Sequence, residues 1–309
     1  DTFSVTVPLC SDSQAFIARI KPDYREDGLN DYLVIAFRGT EPRKLADIRT
    51  DVRARLTEAP GIQGTNARVH EGFYRALNDP APDGMSIRGR IDAVLARPEH
   101  AGLPVFVTGH SLGGALAVVA TRYIANGSRG ACYTFGQPRV GNQDFHDQIF
   151  TPVYRVVNAA DIVPAMPMGE AFTGALIDLV DRIPIPFLSK LAGLLRKIES
   201  YRHGGDQRFL FPAEAERATG QIVSYPGLKV ISNPSLPDRW GSSFHRIVGS
   251  RGAVALGDHS ISVYVEKLAA HALARRHLRQ RLNAPGLQAL NEAADAAAGA
   301  PAQSPAEPV

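Results

Sequence analysis

Short apolar runs and amphipathic stretches alternate along most of the chain. FSVTV (3–7) alternates with period two, and SDSQAFIARI (11–20) reads as a helix lying over a sheet. DYLVIAF (31–37) is apolar almost throughout, which predicts a strand covered on both faces. Residues 41–55 place Leu45, Ile48 and Val52 at helical spacing in an otherwise charged segment, one apolar stripe. VHEGFYRAL (69–77) predicts a strand running into a helix, and 86–95 a further amphipathic helix. Val105 to Val107 predicts a buried strand and Ala115 to Tyr123 a helix, followed by strands at 131–135 and 152–157 with a short helix at 143–148 between them. Strands alternating with helices at this spacing predict an α/β chain.

Between the strand at 105–107 and its helix stands Gly109-His110-Ser111-Leu112-Gly113, a G-x-S-x-G pentapeptide with a further glycine at 114. In a strand–turn–helix context this pattern is a nucleophile elbow. The serine must adopt a sharply turned backbone to project its hydroxyl, and glycines two before and two after let strand and helix approach. The helix then starts at the serine, so its first amides and its dipole face any developing negative charge. Ser111 is therefore the candidate nucleophile.

In this fold the triad follows the chain order serine, acid, histidine. Asp161 lies in NAADIVP, directly after the strand at 152–157, and is the candidate acid. Five later histidines compete for the base. His271 and His277 sit in the basic run LAAHALARRHLRQRL, as on a solvated helix face, and His245 lacks a strand before it. His203, in YRHGGDQRFLF, is the runner-up and reads better as structural; His259, in the polar turn of GDHSISVYVEKL, is best placed. The amide of Leu112 and that of Thr40, in the Arg38-Gly39-Thr40 turn at the end of an earlier strand, fit the two oxyanion donors.

Composition narrows the rest. At 309 residues, 44% hydrophobic and 21% charged, the chain suits one large α/β domain, expected over 1–283, followed by an Ala/Pro-rich tail at 284–309 expected to be disordered. A net charge of +3 is too mild to argue for nucleic acid, and no apolar run is long enough to span a bilayer. Asp1 opens the sequence without a charged-then-apolar leader, which leaves open whether a leader was removed or the numbering starts inside a longer chain; a soluble, secreted monomer is expected ahead of a cytoplasmic protein. Cys132, in the apolar run ACYTF, reads as a buried small hydrophobe, with a Cys10–Cys132 disulfide as the alternative. No CxxC, HExxH or His/Cys cluster suggests a metal, and no cofactor is expected.

FRGT (37–40), VHEGF (69–73), TGHSLGGALA (108–117), YTFGQPRVGN (133–142), VVNAADIVP (156–164), YRHGG (201–205) and DHSISVY (258–264) together resemble the class 3 lipases, the group that includes the filamentous fungal lipases. The resemblance implies an α/β-hydrolase fold, a mostly parallel sheet flanked by helices, and serine ester hydrolysis of acylglycerols without metal or cofactor. Carried over by position, Ser111, Asp161 and His259 are the triad and Thr40 and Leu112 the oxyanion hole. Phospholipase A1 and short-chain or feruloyl-type esterases share this machinery and remain alternatives; a non-catalytic lipid-binding protein on the same scaffold is the remote one. Two departures stand out. The segment at 43–55, where the family often carries a tryptophan-bearing lid, has no tryptophan and a charged face. Residues 165–200 insert about 25 residues with apolar clusters at 176–180 and 187–198 separated by Pro184 and Pro186, and Lys190, Arg196 and Lys197 flanking. Two short amphipathic helices are expected there, either packed on the core or forming a lid or acyl-chain wall in transient contact with lipid.

Overall fold

The computed structural model describes residues 2–5, 14–21, 31–39, 55–63, 65–166, 200–216, 223–235, 237–238, 254 and 257–282. Ten strands are found among them. β1 (Thr2–Val5), β2 (Ala15–Ile20), β3 (Tyr32–Phe37), β4 (Leu56–Glu58), β5 (Arg68–His70), β6 (Val105–His110), β7 (Cys132–Phe135), β8 (Val153–Asn158), β9 (Asp206–Leu210) and β10 (Val230–Ser232) follow in chain order. Eight of them form one sheet in the order β1-β2-β3-β6-β7-β8-β9-β10, and β4 pairs with β5 in a separate ribbon. Neighbours from β3 to β9 run parallel, while β1–β2, β2–β3 and β9–β10 are antiparallel.

The helices are α1 (Glu71–Asn78), α2 (Ile87–Leu95), α3 (Leu112–Tyr123), α4 (Gln143–Asp147) and α5 (Ile261–Leu282). Ser86 caps α2 through Gly89 N and Asn142 caps α4 through Phe145 N, each side chain accepting an amide that has no intrahelical partner. α3 is buried all round from Gly113 to Thr121, as its run of small apolar residues requires. Ile17, Ile35, Phe37, Val107 and Cys132 on one sheet face form a single core with Phe73 and Leu77 of α1, Ile87 and Ile91 of α2 and Leu116 and Val119 of α3. Each large side chain fully buried in this way contributes about 1.5–3 kcal/mol.

Two expectations change. The stretch at 11–20 was expected to be helical, but Ala15–Ile20 is a strand: Ala15 and Ile17 point into the core while Phe16 is 40% exposed, and both strand edges are paired. β3 is not covered on both faces. Leu33, Ile35 and Phe37 are buried, whereas Tyr32, Val34 and Ala36 are half-buried on the face where Tyr32, Phe106, Tyr133 and Tyr154 form a chain of ring contacts 5.0–6.5 Å apart. The apolar character of Val34 and Ala36 hid this two-sidedness in the sequence.

Cys132 is a free, fully buried thiol whose ionisation burial pushes up to about 12. The chain separates into two compact units, residues 1–212 with 229–264 and residues 213–228 with 265–309. In the second, the Tyr225 hydroxyl donates to Glu266 at 2.9 Å and the Lys267 ammonium lies 5.9 Å from the Tyr225 ring. No described helix is long and apolar enough to cross a membrane. Thr40, residues 43–54 of the charged segment, residues 167–199 of the insertion, Cys10 and the tail at 284–309 lie outside the described residues.

Candidate active site

The elbow is built at the carboxyl end of β6. Ser111 holds φ 56° and ψ −128°, a conformation that costs a non-glycine residue about 1–3 kcal/mol. Fixed bonds offset that cost. The Ser111 amide donates to Phe135 O at 2.9 Å, and Gly114 N and Ala115 N donate to Ser111 O at 2.9 and 3.2 Å. Glycine at 109 and 113 is required by proximity: a Cβ on Gly109 would strike the Gly113 carbonyl, and one on Gly113 would strike the carbonyl of Phe37.

Three side chains from three separate loops meet here. The Ser111 hydroxyl reaches His259 Nε2 at 2.9 Å, and His259 Nδ1 reaches Asp161 Oδ2 at 2.9 Å and Oδ1 at 3.0 Å. Ser111 is 1% exposed, His259 3% and Asp161 8%. With its Nδ1 proton committed to the carboxylate, His259 offers the lone pair of Nε2 to the serine hydroxyl, the tautomer that a general base needs.

The carboxylate is itself held. The Val163 amide donates to Asp161 Oδ1 at 2.9 Å, and the Tyr264 hydroxyl donates to Oδ2 at 2.7 Å while accepting the Asn158 amide at 3.0 Å. Tyr264 is fully buried. Burial first, then the Asp161 charge, raises its phenol well above the ordinary value, so it remains a donor. Asp258 ties the acid and base loops together: Ala160 N donates to its Oδ2 at 3.0 Å and Asn158 Nδ2 to its carbonyl at 2.8 Å. Gly136, at φ +57°, leaves the space that a Cβ would take from Asp161 Oδ2 and the His259 ring.

Residues 34–170 match the family model described as lipase (class 3). This segment, which holds the elbow and the acid loop, is similar to the class 3 lipases. The chain is 28% identical over 196 residues to Phospholipase A1-II 1 of Oryza sativa subsp. indica, covering 56% of this chain and 49% of that protein. It is 32% identical over 182 residues to Triacylglycerol lipase OBL1 of Arabidopsis thaliana, covering 45% and 34% respectively. The match thus spans half or less of these relatives. The solved mono- and diacylglycerol lipase of Aspergillus oryzae shares the fold, with a TM-score of 0.52 at 21% identity over 83% of this chain and 77% of that one.

The family match contains Ser111 and Asp161 and stops before His259, which only the fold brings to the serine. His203, the runner-up, is used elsewhere. Its Nε2 donates to Pro164 O at 2.7 Å, and burial, ahead of the charges of Arg155 and Arg139, keeps it well below the ordinary histidine range. With Arg139, whose Nη1 and backbone amide donate to Ala165 O and Met166 O at 2.5 and 2.8 Å, it anchors the end of the acid loop. His271 lies along α5, and His245 is outside the described residues.

Leu112 opens α3, in the first turn where helix geometry gives an amide no internal acceptor. The turn that leads to Thr40 abuts the elbow: a Cβ on Gly39 would lie 2.6 Å from His110 O and 3.5 Å from Ser111 Cβ. Sequence reasoning missed Tyr264, Asp258, Asn158 and His110. Their types carry no spacing signal, since each acts through a contact made only in the folded chain.

Proposed function

We propose that this chain hydrolyses acylglycerol esters through an acyl-enzyme, with Ser111 as nucleophile, His259 as general base and Asp161 as the carboxylate that orients it. The continuous bonding from Ser111 through His259 to Asp161, on a strained elbow at a helix N-terminus, is the observation that carries this reading. As Ser111 Oγ attacks the ester carbonyl, His259 Nε2 takes its proton and Asp161 stabilises the resulting imidazolium. The oxyanion is received by the amides of Leu112 and Thr40. His259 then returns the proton to the departing alcohol, and water hydrolyses the acyl-enzyme by the same steps in reverse order.

Triacylglycerol is the favoured substrate, in line with the name of the Arabidopsis relative; the rice relative's name keeps phospholipase A1 as the second reading. Contact with a lipid interface, secretion and a monomeric state belong to the proposal as well. The test is a rate series on p-nitrophenyl esters from acetate to palmitate, an emulsified long-chain triglyceride and phosphatidylcholine vesicles, run on wild type and Ser111→Ala. Ester turnover that rises with chain length, persists on the emulsion and disappears in the variant supports the lipase. Cleavage confined to the vesicles moves the assignment to phospholipase A1. A fully active Ser111→Ala overturns the nucleophile.

A further inference from the structure

His110 closes β6 and directly precedes the nucleophile, yet its side chain does not face the substrate step. Its Nε2 lies 2.7 Å from the carbonyl oxygen of His259, 149 residues away in sequence, and a carbonyl can only accept, so the ring nitrogen donates. The same ring lies 4.7 Å from the His259 ring at 33° and 5.7 Å edge-on to the Tyr264 ring. It therefore touches the backbone of the base, the face of the base and the phenol that braces the acid.

We propose that His110 is a positioning residue for the triad: its Nε2–H ties the His259 turn to the nucleophile elbow, and its ring backs the imidazole that must stay aligned on Ser111. This rests on the esterase reading above. The argument starts from what the chemistry breaks. The Ser111–His259 hydrogen bond is lost when the proton transfers and the serine becomes acylated, so it cannot hold the two loops in register through the cycle. The bond from His110 to His259 O involves no reacting atom and persists in every intermediate. A base displaced by about 1 Å loses on the order of a hundredfold in rate, which sets the value of such a tie.

A histidine suits the position better than a permanent cation. Burial, then the neighbouring His259, moves the His110 ionisation down to about 4, opposed only by the His259 carbonyl and Asp161. Among the described residues, the titratable groups facing it are His259, Asp161 and Tyr264. At neutral pH it therefore donates its hydrogen bond without setting a second positive charge beside the His259 imidazolium formed during turnover.

The test compares His110→Phe, which keeps a ring and removes the donor, with His110→Gln, which restores an amide donor at similar reach. Kinetics on soluble p-nitrophenyl butyrate are read together with the downfield proton resonance of His259 Nδ1 and the melting temperature. Expected is a kcat about 10- to 100-fold lower in His110→Phe with KM within about twofold and a weakened, faster-exchanging Nδ1 signal, and recovery to within about fivefold of wild type in His110→Gln. Wild-type kcat and an unchanged resonance in His110→Phe would overturn the proposal, as would equal loss in both variants. If wild type cleaves no ester but His110→Phe still weakens the His259 signal, the esterase reading falls and the positioning role stands.

Discussion

The Tyr264 hydroxyl donates to Asp161 Oδ2 at 2.7 Å, on the same oxygen that accepts His259 Nδ1 at 2.9 Å. In the proposed mechanism the phenol thus shares in holding the negative charge that would stabilise the imidazolium. A charge-assisted bond of this kind contributes about 1.5–3 kcal/mol. Tyr264→Phe keeps the ring packing against His110 and Phe135 and removes the hydroxyl that donates to Asp161 and accepts from the Asn158 amide. It is expected to lower kcat on a soluble ester about 5- to 50-fold while leaving KM near wild type. An unchanged kcat would show that Val163 N alone suffices to orient the carboxylate.

Gly113→Ala tests the closeness of the elbow to β3. The added methyl would meet the Phe37 carbonyl oxygen and the Arg38 carbonyl carbon, both backbone atoms that cannot swing aside. The variant is expected to lose more than about 3 kcal/mol of stability, or to fail to fold, as measured by urea unfolding. Gly127→Ala, at a turn where nothing lies within 4 Å of the added carbon, is the control: it meets no neighbour and carries only the strain of its +77° φ.

Acid should weaken the fold before ordinary carboxylates titrate. His146 is 8% exposed, donates from Nε2 to Arg202 O at 3.1 Å, and is pushed from 6.5 down to about 4, chiefly by burial; His110 shifts as far. The folded pKa lies below the unfolded one, so below pH 6.5 the unfolded chain binds the extra protons. Stability falls as pH drops from about 6.5 towards 4, by up to about 3 kcal/mol for each histidine. Urea midpoints at pH 7.0, 6.0 and 5.0 check this, and a flat profile would mean that these histidines ionise alike in the folded and unfolded chain.

Deleting residues 172–198 probes the amphipathic stretch that follows the acid loop. If it meets lipid, the deletion lowers turnover of a triglyceride emulsion at least about tenfold more than turnover of p-nitrophenyl butyrate. Equal losses on both substrates would make it a packing element instead.

Much of the site was legible because its parts are local. The elbow needs a strand, a positive-φ serine between close-approach glycines and a helix, all within twenty residues, and G-x-S-x-G between apolar runs encodes that directly. Asp161 could be located by its place just after β8, where Asn158 and Asp161 close a turn through a 2.8 Å backbone bond. The segment at 15–20 was misread because its apolar residues at 15 to 18 suit either period; pairing with β1 and β3 makes the choice.

By itself the sequence determined the order of strands and helices around the elbow and singled out the candidate nucleophile and the candidate acid loop, because hydrophobic periodicity and backbone strain act over a few residues. It ranked five histidines without being able to bring one to the serine. That choice was made by the tertiary structure: the parallel register of β6, β7 and β8 lines up the Ser111 and Asp161 loops, and bonds from Asn158 and Ala160 to Asp258 and from His110 to His259 O bring the His259 turn to them. The bonds that complete the site, from His259 to Ser111, Tyr264 to Asp161 and His110 to His259 O, join residues 103 to 149 positions apart. Contacts over such separations leave no periodic trace in the chain, since their energy depends on how distant loops are brought together rather than on what neighbours them in sequence.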